Sequence, residues 1–198
     1  MHNGIHRFFV AKNATVRYVE KHYGFGPGHG GKILNPTTEV HLAPGASAVL
    51  ELEQIKGVDS TIRTTTANLA DGAKLIVRER LLTHGRQTAE SVYEITLRGK
   101  NSTADLVSRS VARDESSQVF RATMIGNNHC RAHSECDAII MDKAKVHAIP
   151  ALDARTKDAE MVHEAAIGRL ATDQLTKLMT LGLTRQEAES RIINGFLK

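Results

Sequence analysis

The sequence predicts a mainly β protein, a parallel β-helix (solenoid) followed by a small C-terminal α-helical subdomain. Three observations predict it: turn-forming pairs at near-even intervals, period-two apolar alternation between them, and a change to helical spacing near Thr172. The turn pairs are Pro44-Gly45, Lys56-Gly57, Asp71-Gly72, His84-Gly85, Gly99-Lys100, Asp114-Glu115, Asn127-Asn128 and Asp142-Lys143. Successive markers are 12 to 15 residues apart, and two intervals make a step of 27 or 28 residues in five of six cases. At that step Leu42-Ala43-Pro44-Gly45-Ala46-Ser47 resembles Leu69-Ala70-Asp71-Gly72-Ala73-Lys74.

The intervals read as strands. Tyr93, Ile95 and Leu97 alternate with Glu94, Thr96 and Arg98, and Phe120, Ala122 and Met124 alternate with Arg121 and Thr123, as on a strand with one face buried. Two strands per step, repeated, describe coils that stack on one another. Asp158–Leu170 is rich in Ala and Glu but falls where the next strand is due, and is assigned as strand. Thr172-Asp173 then starts a helix with Leu175, Leu178 and Met179 on one face and Gly182 as its stop. Thr184-Arg185-Gln186-Glu187 has the capping-box pattern, followed by Ala188, Ile192 and Phe196 at helical spacing. The domain division is therefore a β-helix core over residues 1–170, interrupted by a glycine-rich loop at 22–32, and a helical subdomain over 171–198.

Composition narrows the function classes. With 198 residues, 41% hydrophobic and 24% charged, the chain is of globular type and has no apolar run long enough to span a bilayer. The start, Met1-His2-Asn3-Gly4-Ile5-His6-Arg7, has no signal-peptide character, so a cytoplasmic location is expected. The net charge is +4, but the charges are interspersed, as in Arg78-Glu79-Arg80. With 4% aromatics and no Trp, the sequence does not read as a nucleic-acid binder. Cys130 and Cys136 would stand roughly 20 Å apart along a strand, too far for a disulfide, and read as free thiols.

Several motifs fail on context. Gly26, Gly28 and Gly31 match a dinucleotide fingerprint and Gly26–Lys32 most of a P-loop, but Ile33 replaces the hydroxyl residue and Asn35-Pro36 precludes the helix that must follow. A loop is the better account. His163-Glu164 opens like a zinc-protease helix, but Ile167 stands where the second His belongs. The sequons at Asn13 and Asn101 lack a secretory route.

The densest group of metal-ligand types is His129-Cys130-Arg131-Ala132-His133-Ser134-Glu135-Cys136-Asp137. Thiolate, imidazole and carboxylate together suit iron, zinc or iron–sulfur chemistry, while buried cysteines are more often plain packing. A step of 28 residues carries Cys136 to Glu164, so the two are expected to stack at about 4.8 Å with His163 adjacent.

A family resemblance lies on these same residues. Cys136-Asp137-Ala138-Ile139-Ile140-Met141-Asp142, Ala148-Ile149-Pro150, His163-Glu164-Ala165, Asp173-Gln174-Leu175, Gly182-Leu183 and Ile192-Ile193-Asn194-Gly195-Phe196, in that order, resemble the SufB/SufD scaffolds of the SUF iron–sulfur cluster assembly system, closest to the C-terminal part of SufB in a short form. The resemblance implies a right-handed β-helix, a non-enzymatic scaffold, and a transient iron–sulfur cluster held where two subunits pair, as a homodimer or with a SufD-like partner. It implies cluster binding by Cys136, Glu164 and His163, with Cys130, His133 and His129 as possible additional ligands. It also implies docking of a SufC-like ABC ATPase by the terminal helices, through Asp173, Leu175, Leu178, Arg185, Ile192 and Phe196. Residues 1–129 contain no cysteine. The alternative reading is a β-solenoid interaction module that binds the ATPase without a cluster. A polysaccharide enzyme ranks last for want of sugar-stacking aromatics.

Overall fold

The computed structural model describes residues 2–24 and 31–198. Thirteen strands form among them: β1 (Ile5–Val10), β2 (Thr15–Tyr23), β3 (Ile33–Leu34), β4 (Thr37–Leu42), β5 (Ser47–Lys56), β6 (Ser60–Leu69), β7 (Lys74–Thr83), β8 (Thr88–Leu97), β9 (Ser102–Ala112), β10 (Ser117–Gly126), β11 (Cys130–Ile140), β12 (Lys145–Ala154) and β13 (Ala159–Arg169). Two helices follow, α1 (Thr172–Thr180) and α2 (Arg185–Phe196). All strand pairing is parallel. One sheet runs β1-β4-β6-β8-β10-β12, with β3 also on β6, and the other runs β2-β5-β7-β9-β11-β13. The chain alternates between the sheets, so each pair of strands is one coil of a parallel β-solenoid of about six turns.

The corners are made by residues that tolerate a left-handed backbone. Gly45, Gly57, Gly72 and Gly85 have positive φ, as do Asn13, Asn101, Asp114 and Asp142. Asn and Asp are the non-glycine residues best suited to that region because their short polar side chains bond locally. Here they also tie coil to coil: Asp114 Oδ2 accepts from Gly85 N at 2.6 Å, and Asp142 Oδ2 accepts from Asp114 N at 3.1 Å. Most of the turn markers thus sit at real corners. The glycine-rich loop falls largely outside the described residues, but Lys32 is followed by the short strand β3, so the helix that a phosphate loop requires is absent there.

Inward side chains stack in columns. Val10, Leu42, Leu69 and Leu97 lie one above another, as do Leu50, Val77 and Leu106. All are buried. Each such side chain withdrawn from water contributes about 1.5–3 kcal/mol. The sequence alternation at Tyr93, Ile95 and Leu97 and at Phe120, Ala122 and Met124 marks this buried face.

The interior also holds polar residues. Glu20 and Arg63 form an ion pair at 3.0 Å, and His22 Nε2 lies 2.9 Å from the other Glu20 oxygen. The Glu79 carboxylate accepts from Ser91 and Ser108 at 2.6 Å and from the Tyr93 hydroxyl at 2.9 Å.

The helices dock outside the solenoid, where Ile193 and Leu197 pack on Val111 and Met141 with Leu82, Ile139, Leu170 and Phe196 around them. The capping box at α2 is formed by Thr184 and Glu187. Among the described residues no further coil stacks on the sixth. Its inward Leu152 and Ile167 are 41% and 38% exposed, whereas Met124 and Ala138 one coil below are 0% and 3% exposed.

Candidate functional site

Strand β11 lies between β9 and β13, so its residues are fixed on both edges by backbone bonds. Cys130, Ala132, Ser134, Cys136 and Ala138 point inward and are buried. Both cysteines are free. Cys136 stacks on Ser108, which stacks on Glu79, so a thiol, a hydroxyl and a carboxylate occupy one interior column. Burial, followed by the negative charges of Glu79 and Asp137, pushes the Cys136 thiol up to about 12. It is therefore a protonated thiol at neutral pH in the free chain. Burial also raises Cys130, against a backbone hydrogen bond from Asn128.

The expected contact between Cys136 and Glu164 does not form. The register pairs Cys136 with Ala165, Glu135 with Glu164 and Ser134 with His163. The cause is one extra corner residue. Arg155–Asp158 joins β12 to β13, whereas Asn127–His129 joins β10 to β11, while β10 and β12 pair 28 apart. The step from β11 to β13 is therefore 29, as in Cys136 to Ala165. A slip of one residue moves a side chain to the other face of a strand. Glu164 is accordingly exposed on the outside, while His163 shares the inward face with Cys136.

His163 is held by a hydrogen bond between its Nδ1 and the Ser134 hydroxyl at 2.6 Å. Its Nε2 is shielded from water and has no hydrogen-bond partner among the described residues. Burial, with the nearby His133, lowers its pKa, so the ring is neutral at pH 7. A neutral imidazole with one engaged and one orphaned nitrogen is suited to accept a ligand.

The other expected ligands are dispersed. His133 is on the outer face, where its Nδ1 meets Asp105 at 2.8 Å. Burial alone would raise Asp105, but bonds from His133 and Arg78 hold it below the ordinary range. Glu135 shares a hydrogen bond with Asp137, which, with burial, raises its pKa. His129 sits at the corner, with Nδ1 2.8 Å from Asn101 Oδ1. Cys130 is inward; a Cβ built at Gly126 would lie 3.0 Å from its sulfur and 3.2 Å from that of Met161. Among the described residues no three His, Cys, Asp or Glu side chains converge to hold a metal ion. The inward-facing candidates that one chain brings to neighbouring positions are thus Cys136 and His163, with Ser134 opposite His163 and two residues along β11 from Cys136.

Of the residues expected to meet an ATPase, Asp173 and Arg185 are exposed, and Leu178 and Ile192 are half-buried. Leu175 is buried, and Phe196 packs against the cluster that anchors α2, so these two hold the helices in place. Met179 and Leu181, 44% and 72% exposed, are the prominent apolar side chains of that surface.

Ser134 and Glu79 are not among the residues expected from the sequence. Glu79 had a readable signal, since it occupies the apolar phase set by Leu75, Val77 and Leu81. Ser134 had none, because its importance depends on the register of β13.

Comparison with known proteins agrees with this architecture. Residues 1–196 match the family described as SUF system FeS cluster assembly, SufBD core domain. The chain is 29% identical over 200 residues to an iron–sulfur cluster assembly SufBD family protein of Archaeoglobus fulgidus, covering all of this chain and 53% of that protein. It is 30% identical over 198 residues to a SufBD family protein of Methanocaldococcus jannaschii, covering 98% and 61% respectively. A relative in Methanothermobacter thermautotrophicus is 26% identical over 200 residues, covering 100% and 48%. The chain spans about half the length of these relatives. A match over nearly every residue, on a parallel β-solenoid with two closing helices, establishes that the chain belongs to the SufBD core-domain family of the SUF iron–sulfur cluster assembly system.

Proposed function

We propose that the chain is a scaffold, not an enzyme, on which a nascent iron–sulfur cluster is held at the open end of the solenoid where two subunits pair. The observation that carries this reading is the placement of Cys136 and His163 on one inward face at the last two coils, with His163 Nε2 lacking a partner. Two protein donors per chain are too few to saturate a cluster, whose irons are ordinarily held by four protein ligands. A second subunit, a homodimer mate or a SufD-like partner, would supply the rest, and a sparsely held cluster can be passed on. The exposed Leu152 and Ile167 make the same end adhesive. Glu164 lies on the opposite face and is left out of the ligand set. His133 and His129 are engaged elsewhere, and Cys130 lies roughly 20 Å along the strand from Cys136. The exposed surface of α1 and α2, with Asp173, Arg185, Met179 and Leu181, would dock a SufC-like ABC ATPase.

Anaerobic addition of iron and sulfide tests the cluster. The wild-type chain is expected to gain visible absorption and more bound iron than Cys136→Ala or His163→Ala. No absorption, with iron equal to that of the variants, would overturn the reading. One observation favours the module without a cluster: Cys136 is 1% exposed and protonated in the free chain. That alternative predicts full activity of Cys136→Ala in cells with the ATPase still co-purifying.

A further inference from the structure

Strand β13 is the outermost strand of its sheet and is paired on one edge only. His163 therefore rides on the least constrained strand of the proposed site. The strand beneath it, β11, is paired on both edges, and Ser134 on that strand is 0% exposed. The bond of 2.6 Å between Ser134 Oγ and His163 Nδ1 is the side-chain tie between the fixed strand and the ring. A hydroxyl can donate or accept, so this bond is compatible with either protonation state of Nδ1. The two ring nitrogens face in diverging directions, and engaging Nδ1 toward β11 leaves Nε2 as the free one. That nitrogen is buried and has no hydrogen-bond partner among the described residues.

We propose that Ser134 is a positioning residue that turns His163 so that it can coordinate a metal only through Nε2. The proposal rests on the cluster-site reading above but is tested separately from it. When metal occupies Nε2, Nδ1 carries the proton and donates to Ser134 Oγ, the kind of outer partner that fixes the orientation of metal-bound histidines and whose loss costs about 10–100-fold in affinity. The alternation of inward and outward side chains leaves no substitute, because the strand neighbours His133 and Glu135 point to the other face.

The test uses the whole chain and Zn(II) alone as a diamagnetic probe. Binding is measured by titration, and the ligating nitrogen of His163 is identified from the long-range proton–nitrogen couplings of the ring. The wild type is expected to ligate through Nε2 with Nδ1 protonated. Ser134→Ala is expected to bind about tenfold more weakly and to show ligation through both nitrogens, while Ser134→Thr restores Nε2 alone. Ligation of the wild type through Nδ1, or Ser134→Ala retaining both affinity and Nε2 ligation, would overturn the role of Ser134 while leaving the cluster site standing. If His163→Ala leaves Zn(II) binding unchanged, His163 is not a ligand and both readings fall. The unfolding transition of Ser134→Ala, measured alongside, separates loss of the fold from loss of the ring's orientation.

Discussion

Replacing Arg63 by Met tests how the solenoid tolerates charge in its core. Arg63 and Glu20 are 4% and 5% exposed at the side chain and meet at 3.0 Å, with His22 on the second Glu20 oxygen at 2.9 Å. Burial by itself would raise Glu20, but the hydrogen bond of His22 and the charge and hydrogen bond of Arg63 outweigh it and bring the carboxyl from 4.5 down to about 2. At 1.36 kcal/mol per pH unit, that displacement corresponds to about 3 kcal/mol of stability from ionised Glu20. Removing one partner of a buried pair costs about 3–5 kcal/mol, so the two routes agree. Because the folded pKa is depressed, the contribution is complete above about 4.5 and is lost as the pH falls through 2. The assay is urea unfolding from pH 7 to pH 2.5 for wild type, Arg63→Met, Glu20→Gln and the double variant. Arg63→Met should lose about 3–5 kcal/mol at pH 7, and the double variant should recover much of it, since Glu20 is then no longer left as a buried charge without Arg63. The difference between wild type and Glu20→Gln should shrink on acidification below pH 4.5. An Arg63→Met chain within 1 kcal/mol of wild type, or a double variant as unstable as the two single losses together, would refute the reasoning.

Two further predictions concern the corners and the thiols. A Cβ at Gly99 would overlap the Asp71 backbone nitrogen and the Ala70 carbonyl carbon, whereas at Gly85, with φ of +59°, it would meet nothing. Gly99→Ala is therefore expected to cost about 3 kcal/mol or more in urea unfolding and Gly85→Ala only about 1–2 kcal/mol, with equal losses contradicting the packing argument. Cys136 and Cys130 are 1% and 4% exposed and both are raised by burial. A chromogenic disulfide should release no thiol signal from the folded chain at pH 8 and two equivalents after unfolding. A rapidly reacting thiol in the folded chain would show that Cys136 is not enclosed as described.

Much of the fold is legible because its causes are local. A left-handed corner selects Gly, Asn or Asp, and a half-buried strand selects alternation, so Gly45, Gly72, Asp114 and Asp142 and the Tyr93–Leu97 pattern report the coils directly. The capping box at Thr184 is equally local and is found where its residues place it. The site is less legible because it depends on register between strands far apart in sequence. Steps of 27, 28 and 29 all occur, as in Leu42 to Leu69, Leu69 to Leu97 and Cys136 to Ala165. Corner length varies without altering the strand pattern, so no average step can say which side of β13 faces Cys136. The Glu20–Arg63 pair is hidden for a related reason: its members lie on different sheets and different coils, 43 residues apart.

The register also bears on what kind of site a single chain can build. Had the corner at Arg155–Asp158 been one residue shorter, Glu164 would have faced inward above Cys136, placing a second acid in a column that already holds Glu79. Two carboxylates in one interior column without a cation would disfavour each other's ionised form. The observed register puts Ala165 over Cys136 and His163 beside it, and both donors are uncharged in the absence of metal: the thiol because of burial and neighbouring negative charge, the imidazole because of burial. An end coil can then stay folded with its donors empty, which a scaffold that loads and unloads must do. In the proposed function the charge needed to hold iron arises only when metal displaces the thiol proton, and the remaining donors come from a second open end. Each loading would start from a neutral, intact coil and return to one.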